Sequence, residues 1–261
     1  MNILNEIIAH KKKEVEINIL RKPIKELEKS SLFERKTNSL KEAVQDKSKF
    51  GIIAEIKRKS PSKGIINSNV SVEKISKGYE SAGASAISVL TDVNYFGGSN
   101  DDLKCVRSLV DIPVLRKDFI VDEYQLFEAK SIGADAILLI AGALPVKRLQ
   151  ILSDFASSLG LEVLLEVHNE DEIESTKEVD CDLIGVNNRD LQTFTLSVDV
   201  SRRLFEKLPY GKAAISESGI EKPEIIHELR NIGYSGFLIG QYFMQEAEPE
   251  VACQKFIENL K

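Results

Sequence analysis

Two lysines and three glutamates stand at the ends of short apolar runs in this sequence, where a charge costs free energy unless it is paired or used. Lys57 closes the run 52–57, Lys117 closes 114–117 and Glu217 closes 213–217. Glu166 lies one residue from the end of 163–167, Glu55 two residues before Lys57, and Asn187 ends 183–187. Side chains alternate faces along a strand. Ile53, Glu55 and Lys57 therefore share a face, as do Leu115, Lys117 and Phe119, and Leu164 with Glu166. Gly185 likewise aligns with Asn187 and Arg189, and Ile215 with Glu217. If these faces converge, they form a ring of ammonium and carboxylate groups. Such a ring, in unlike surroundings, is how a site obtains a general acid and a general base near neutral pH. For any one residue an inter-strand salt bridge is the plainer account. Five runs with such groups at the same end favour chemistry.

The elements that must hold this ring repeat along the chain. Apolar, β-branched runs at 52–57, 86–91, 114–117, 136–140, 163–167, 183–187, 213–217 and 236–240 alternate with stretches of helical spacing such as 123–130 and 223–230. Strand and helix in alternation, without hairpin signals, predict parallel pairing through crossovers. A weak repeat supports this: GASAI at 83–87 returns as GADAI at 133–137 and more loosely as GYSGF at 233–237. Each Gly suits the position just past a helix, with a strand about three residues later. One unit is then about 25 residues and eight need about 200, which residues 51–261 supply. The expected fold is α/β, a (β/α)8 TIM barrel with an N-terminal helical extension, in one domain over 1–261. In the extension, residues 1–50, Ile3, Leu4, Ile7, Ile8, Val15, Ile19 and Leu27 recur at roughly helical spacing, as expected of helices lying against the barrel. An open doubly wound sheet and a loosely ordered leader are the alternatives.

Composition excludes several classes. The chain has 261 residues, 43% hydrophobic and 29% charged, with a net charge of -6, so no basic excess recruits nucleic acid or an anionic membrane. Cys105, Cys181 and Cys253 are odd in number and far apart, as expected of free thiols in a reducing compartment. His10, His168 and His227 are widely separated, there is no CxxC, and no metal site is expected. The N-terminus places its positive run after the apolar residues rather than before them, unlike a signal peptide. The most apolar stretch, 136–146, is too short to span a bilayer. A cytoplasmic protein is expected.

In parallel barrels the residues after the strands' carboxyl ends carry the chemistry, and loops after strands 7 and 8 commonly bind phosphate. Here those positions read SESGI at 216–220 and LIGQ at 238–241. The basic run from Lys57 to Gly64 lacks aromatics for base stacking, so it suits an anionic small molecule, or else is a solvated loop.

The sequence resembles the indole-3-glycerol phosphate synthase family. The resemblance rests on AEIKRKSPS at 54–62, YFGGS at 95–99, LRKDFI at 115–120, LEVH at 165–168, GVNNRD at 185–190 and SESGI at 216–220, in that order along nearly the whole chain. It implies ring closure of 1-(2-carboxyphenylamino)-1-deoxyribulose 5-phosphate with loss of carbon dioxide and water, without metal or organic cofactor. By the same resemblance Lys117 is the general acid, Lys57 holds the substrate carboxylate, and Glu166 handles protons in the dehydration, a step that Lys57 also serves in some accounts. Glu55, Asn187 and Glu217 bind hydroxyls and set the lysine charges. Ser60, Arg189 and Ser218 contact the substrate or its phosphate, Gly219 and Gly240 offer backbone amides to the phosphate, and Phe96, Phe119 and Leu138 wall an aromatic pocket. Gln241 departs from the small hydroxyl residue or Glu that the family often has there. The expected partner is a phosphorylated small molecule, with no nucleic acid, no membrane and no fused pathway enzyme. The competing readings are another phosphate-binding barrel, such as phosphoribosylanthranilate isomerase or the tryptophan synthase α-subunit, and a barrel that only binds an anion.

Overall fold

The apolar runs form eight strands: β1 (Ile52–Ile56), β2 (Ala86–Leu90), β3 (Val114–Lys117), β4 (Ala136–Ile140), β5 (Glu162–Val167), β6 (Leu183–Asn187), β7 (Ala213–Glu217) and β8 (Gly236–Ile239). In the computed structural model each pairs in parallel with its neighbours in chain order, and β8 closes on β1 through Ile53 opposite Leu238. The structure describes residues 3–191 and 193–261. Met1 and Asn2, where the N-terminal reading begins, and Gln192 lie outside the described residues. Lys57, Thr91 and Gly240, expected as terminal strand residues, follow their strands by one position, and β5 begins one residue earlier than expected.

The expectation of no hairpins needs a correction. Lys59–Ser60 pairs antiparallel with Gly64–Ile65 across a turn containing Pro61, so the basic run after β1 is a short hairpin and not a plain loop. Its four paired residues are too few for a strand pattern to show in the sequence.

Two apolar layers result from strand alternation. Ile53, Leu115, Leu138, Leu164, Leu183, Ile215 and Leu238 pack inside the barrel, while Ala54, Ile56, Ile87, Val89 and Leu139 meet the surrounding helices. A fully buried Leu or Ile contributes about 1.5–3 kcal/mol relative to exposure. A helix follows each strand's loop, from Val72–Ala82 after β1 to Pro249–Glu258 after β8. The repeated glycines end helices as expected, Gly83 at φ 97 and Gly133 at φ 91.

The N-terminal extension reaches both ends of the barrel. Helix Leu40–Gln45, with Ser39 accepting from the Glu42 N–H, sends Leu40 and Val44 into the interior cluster and plugs the amino end. Helix Ile3–Arg21 buries Leu4, Ile7, Ile8, Lys11 and Val15, an arc of one face. Ile19, expected on that stripe, is 39% exposed, because at 100° per residue it falls at the trailing edge of the arc. Lys11 falls near the middle. Its amine is buried against Asp92 at 2.8 Å and Asp118 at 3.0 Å, just beyond β2 and β3, and so pins the helix to the carboxyl end. Among the described residues no helix is long and apolar enough to cross a membrane.

Candidate active site

Strand alternation turns the charged strand ends inward. Lys117 Nζ lies 3.0 Å from Glu166 Oε2 on β5 and also contacts Glu217 Oε2 on β7. Lys57 Nζ lies 2.5 Å from Glu55 Oε1, and Glu55 Oε2 accepts from Ser88 Oγ at 3.4 Å. Asn187 Oδ1 accepts from the Arg189 N–H at 3.0 Å, and its side chain helps to hold the Glu166 pKa down. Two glycines make room for the acids. A Cβ on Gly185 would stand 2.1 Å from Glu217 Oε1, and one on Gly240 would stand 2.4 Å from Glu55 Oε1.

The ring holds three carboxylates and two ammonium groups, and this imbalance separates the acids. Burial works against charge on Lys117, but Glu217, Glu166 and Glu55 outweigh it and raise its pKa well above 10.5. Burial would raise Glu166 as well, yet Lys117 and His168 hold it down at about 2. Glu217 goes the other way: burial lifts it, Lys117 only partly compensates, and Glu166 and Glu55 add to the lift, up to about 7. The site therefore keeps one firmly ionised carboxylate and one carboxyl poised near neutrality.

All fifteen residues singled out from the sequence line one cleft of about 1220 Å3, open mouth included. Glu55, Lys57, Lys117, Glu166, Asn187 and Glu217 form its floor. Phe96 and Phe119, with ring centroids 5.9 Å apart, stand on one side, and Leu138 lines the cleft while also packing in the barrel interior. Ser60, on the hairpin after β1, and Ser218, Gly219, Gly240 and Gln241, after β7 and β8, line the rest.

Arg189 crosses toward Gln241, whose Oε1 accepts from Nη2 at 3.4 Å, and also reaches the Phe194 carbonyl at 3.4 Å. Among the described residues it has no carboxylate partner, unlike Lys57 and Lys117, which leaves a half-buried guanidinium free to meet an anion. Gln241 is thus a neighbour of that cation. Ser218 adopts φ 69, a left-handed conformation uncommon for a residue with a Cβ. Asn188 holds it there: Nδ2 donates to the Ser218 carbonyl at 3.0 Å and to Ser216 Oγ at 3.1 Å, while its Oδ1 accepts from the Ser201 N–H and hydroxyl.

Several residues that line the cleft or hold its walls were not singled out as site residues from the sequence. Ile3, Leu4 and Ile7 lay the first turns of the N-terminal helix across the mouth. Lys11 sits on the apolar arc that the spacing already showed, and that position was the available signal. Asn188 lies inside the GVNNRD run with no pattern to distinguish it from Asn187. Among the described residues no group of three or more His, Cys, Asp and Glu is placed to hold a metal ion.

Comparison with known proteins identifies the family. Residues 4–256 match the family model of indole-3-glycerol phosphate synthase. The chain is 46% identical over 260 residues to the indole-3-glycerol phosphate synthase of Bacteroides thetaiotaomicron, covering 100% of this chain and 99% of the relative. It is 43% identical to that of Caldanaerobacter subterraneus subsp. tengcongensis, covering 99% of each. Among solved structures, a mutant tryptophan synthase α-subunit from Pyrococcus furiosus aligns with a TM-score of 0.61 at 14% identity, over 81% of this chain and 98% of that one. That likeness extends to the barrel alone. With a cleft built from the residues of six motifs and relatives matched from end to end, the chain belongs to the indole-3-glycerol phosphate synthase family.

Proposed function

We propose that Lys117 is the general acid in the reaction of this family, the conversion of 1-(2-carboxyphenylamino)-1-deoxyribulose 5-phosphate to indole-3-glycerol phosphate, carbon dioxide and water. The observation that carries the proposal is the Lys117 amine, buried between Glu166 and Glu217 at the barrel mouth beside the Lys57–Glu55 pair.

The ring carbon bearing the carboxylate attacks the ketone carbon, and the carbonyl π pair moves to oxygen. Lys117, kept fully protonated by its three acidic neighbours, donates a hydrogen bond to that oxygen and releases its proton as alkoxide character develops. The C–CO2 bond then breaks and its electron pair returns to the ring. The new hydroxyl takes a proton from the Lys57 ammonium and leaves as water, and Glu166 takes the proton whose loss from the neighbouring ring carbon makes the indole aromatic. Before that step Lys57 holds the substrate carboxylate and keeps the attacking carbon near the ketone. Glu55, Asn187 and Glu217 receive the sugar hydroxyls and balance the lysines. Phe96, Phe119 and Leu138 face the aromatic ring. Arg189, Ser60, Ser218, Gly219, Gly240 and Gln241 take the phosphate end, supported by an Arg189 guanidinium that meets neutral oxygens at 3.4 Å.

We treat the extension and the eight units as one domain, because helices within residues 3–45 contact both ends of the barrel. Three free thiols are consistent with a cytoplasmic enzyme. The reaction needs no metal in this scheme. Mixing the protein with the substrate and following indole emission, with and without EDTA, tests it: an EDTA-insensitive rise is expected. Absence of any rise from folded protein would leave an anion-binding barrel, and a rise abolished by EDTA would overturn the metal-free scheme.

A further inference from the structure

We propose that His168 is a positioning residue that holds Glu166 from the side opposite Lys117, tying its carboxylate through the imidazole to Glu172. The inference deepens the proposed role of Glu166 and rests on it. His168 follows β5 directly and its side chain is 9% exposed. Its Nε2 lies 3.4 Å from Glu166 Oε1, while Glu166 Oε2 lies 3.0 Å from Lys117 Nζ. The two oxygens of one carboxylate thus face two different basic groups. On the far side His168 Nδ1 lies 3.2 Å from Glu172 Oε2.

Glu172 is itself fixed. Its Oε2 accepts from the His168 backbone N–H at 2.8 Å, its Oε1 accepts from Asn169 Nδ2 at 3.3 Å, and its own N–H donates to Asn169 Oδ1 at 2.9 Å. The imidazole is therefore anchored at one nitrogen and offers the other to the active-site acid. Glu172 is partly exposed, so the row of groups runs from the barrel interior toward the surface.

The need for such a hold follows from the reaction. When Lys117 turns to the substrate ketone, Glu166 loses its nearer cation. At 3.4 Å the contact with Nε2 is electrostatic and slack. A small rotation of the carboxylate closes it, which keeps Glu166 ionised and aimed at the proton it must remove. The charged groups facing His168 are Glu166 on β5, Glu172 on helix Glu170–Thr176 and Glu217 on β7. Burial disfavours the imidazolium, but these acids outweigh it and raise the His168 pKa above its ordinary 6.5.

The test has two arms that read the same coupling from either end. His168→Gln keeps a donor group without the charge. Loss of a cation within about 4–6 Å shifts a carboxylate by about 1–3 pH units. The acidic limb of the kcat profile should therefore move to higher pH by about one unit, with KM changed less than about threefold. In the second arm, imidazole NMR follows His168, one of only three histidines in the chain. Its titration should fall by about half a unit or more in Glu166→Gln. An unmoved limb in His168→Gln together with an unmoved His168 titration in Glu166→Gln would overturn the proposal. If His168→Gln fails to fold, the NMR arm decides alone. Normal turnover in Glu166→Gln would instead remove the catalytic role of Glu166, while the NMR shift still reports whether the two side chains are coupled.

Discussion

Lys117→Met removes one of the two ammonium groups of the ring and keeps a flexible chain of similar reach. Lys117 faces Glu166 and Glu217, which are 3% and 1% exposed. Without the lysine, two buried like charges stand close together and one of them keeps a proton through neutral pH. The ketone oxygen loses its proton donor, a loss of about 10²–10⁴ in kcat, or about 2.7–5.4 kcal/mol of barrier. KM should change by less than about tenfold, because Lys57, Arg189 and the phosphate-end residues remain. The assay is product emission, with which no tryptophan of the protein competes because the chain contains no Trp.

The same substitution has a stability signature. The Glu217 pKa in the folded protein is raised from 4.5 to about 7, so its contribution is fully present below about 4.5 and is lost as pH rises through 7. Removing Lys117 raises it further, and the variant should lose melting temperature more steeply than the parent above pH 7. Glu166, depressed to about 2, contributes stability above 4.5 that is lost as pH falls through 2. That contribution should shrink in the variant. A kcat within tenfold of the parent, or a loss confined to KM, would refute the assignment of the acid.

Gly185→Ala puts a methyl group 2.1 Å from Glu217 Oε1, so the acid must move. Overpacking of this kind costs about 1–3 kcal/mol, and chemical denaturation should show it together with a fall in kcat larger than any change in KM. Arg189→Met should raise KM for the phosphorylated substrate about ten- to hundredfold, from the loss of hydrogen bonds to a charged group, while kcat stays within a few-fold and inhibition by inorganic phosphate weakens. Lys11→Met leaves Asp92 and Asp118 buried without their shared amine. Urea unfolding should show a loss of about 3–5 kcal/mol, and KM should rise as the N-terminal helix loosens from the mouth.

Much of this protein was legible in the order of its residues. Strand alternation placed Glu55, Lys57, Lys117, Glu166 and Glu217 on inward faces, because a period of two is a local property of the chain. The repeat GASAI and GADAI marked helix ends and strand starts within a residue or two, because a left-handed helix terminus strongly favours glycine. The hairpin after β1 was not legible, since its pairing involves only four residues. Nor was the seat of the N-terminal helix. Its apolar stripe announced that it must pack, but a stripe does not name its partner, and only the buried pairing of Lys11 with Asp92 and Asp118 sets it over the cleft.

The charged groups divide in the same way. Residue types and spacing determined which acids and bases would gather at one end of the barrel. Which glutamate stays ionised and which is poised near neutrality depends on burial and on distances between strands far apart in sequence. Glu166 and Glu217 are the same residue type near the carboxyl ends of two strands. Contact with Lys117 and His168 on one side, and crowding by Glu55 and Glu166 on the other, drives them apart. Coulomb energy depends on separation in space, and those separations exist only once the barrel has closed.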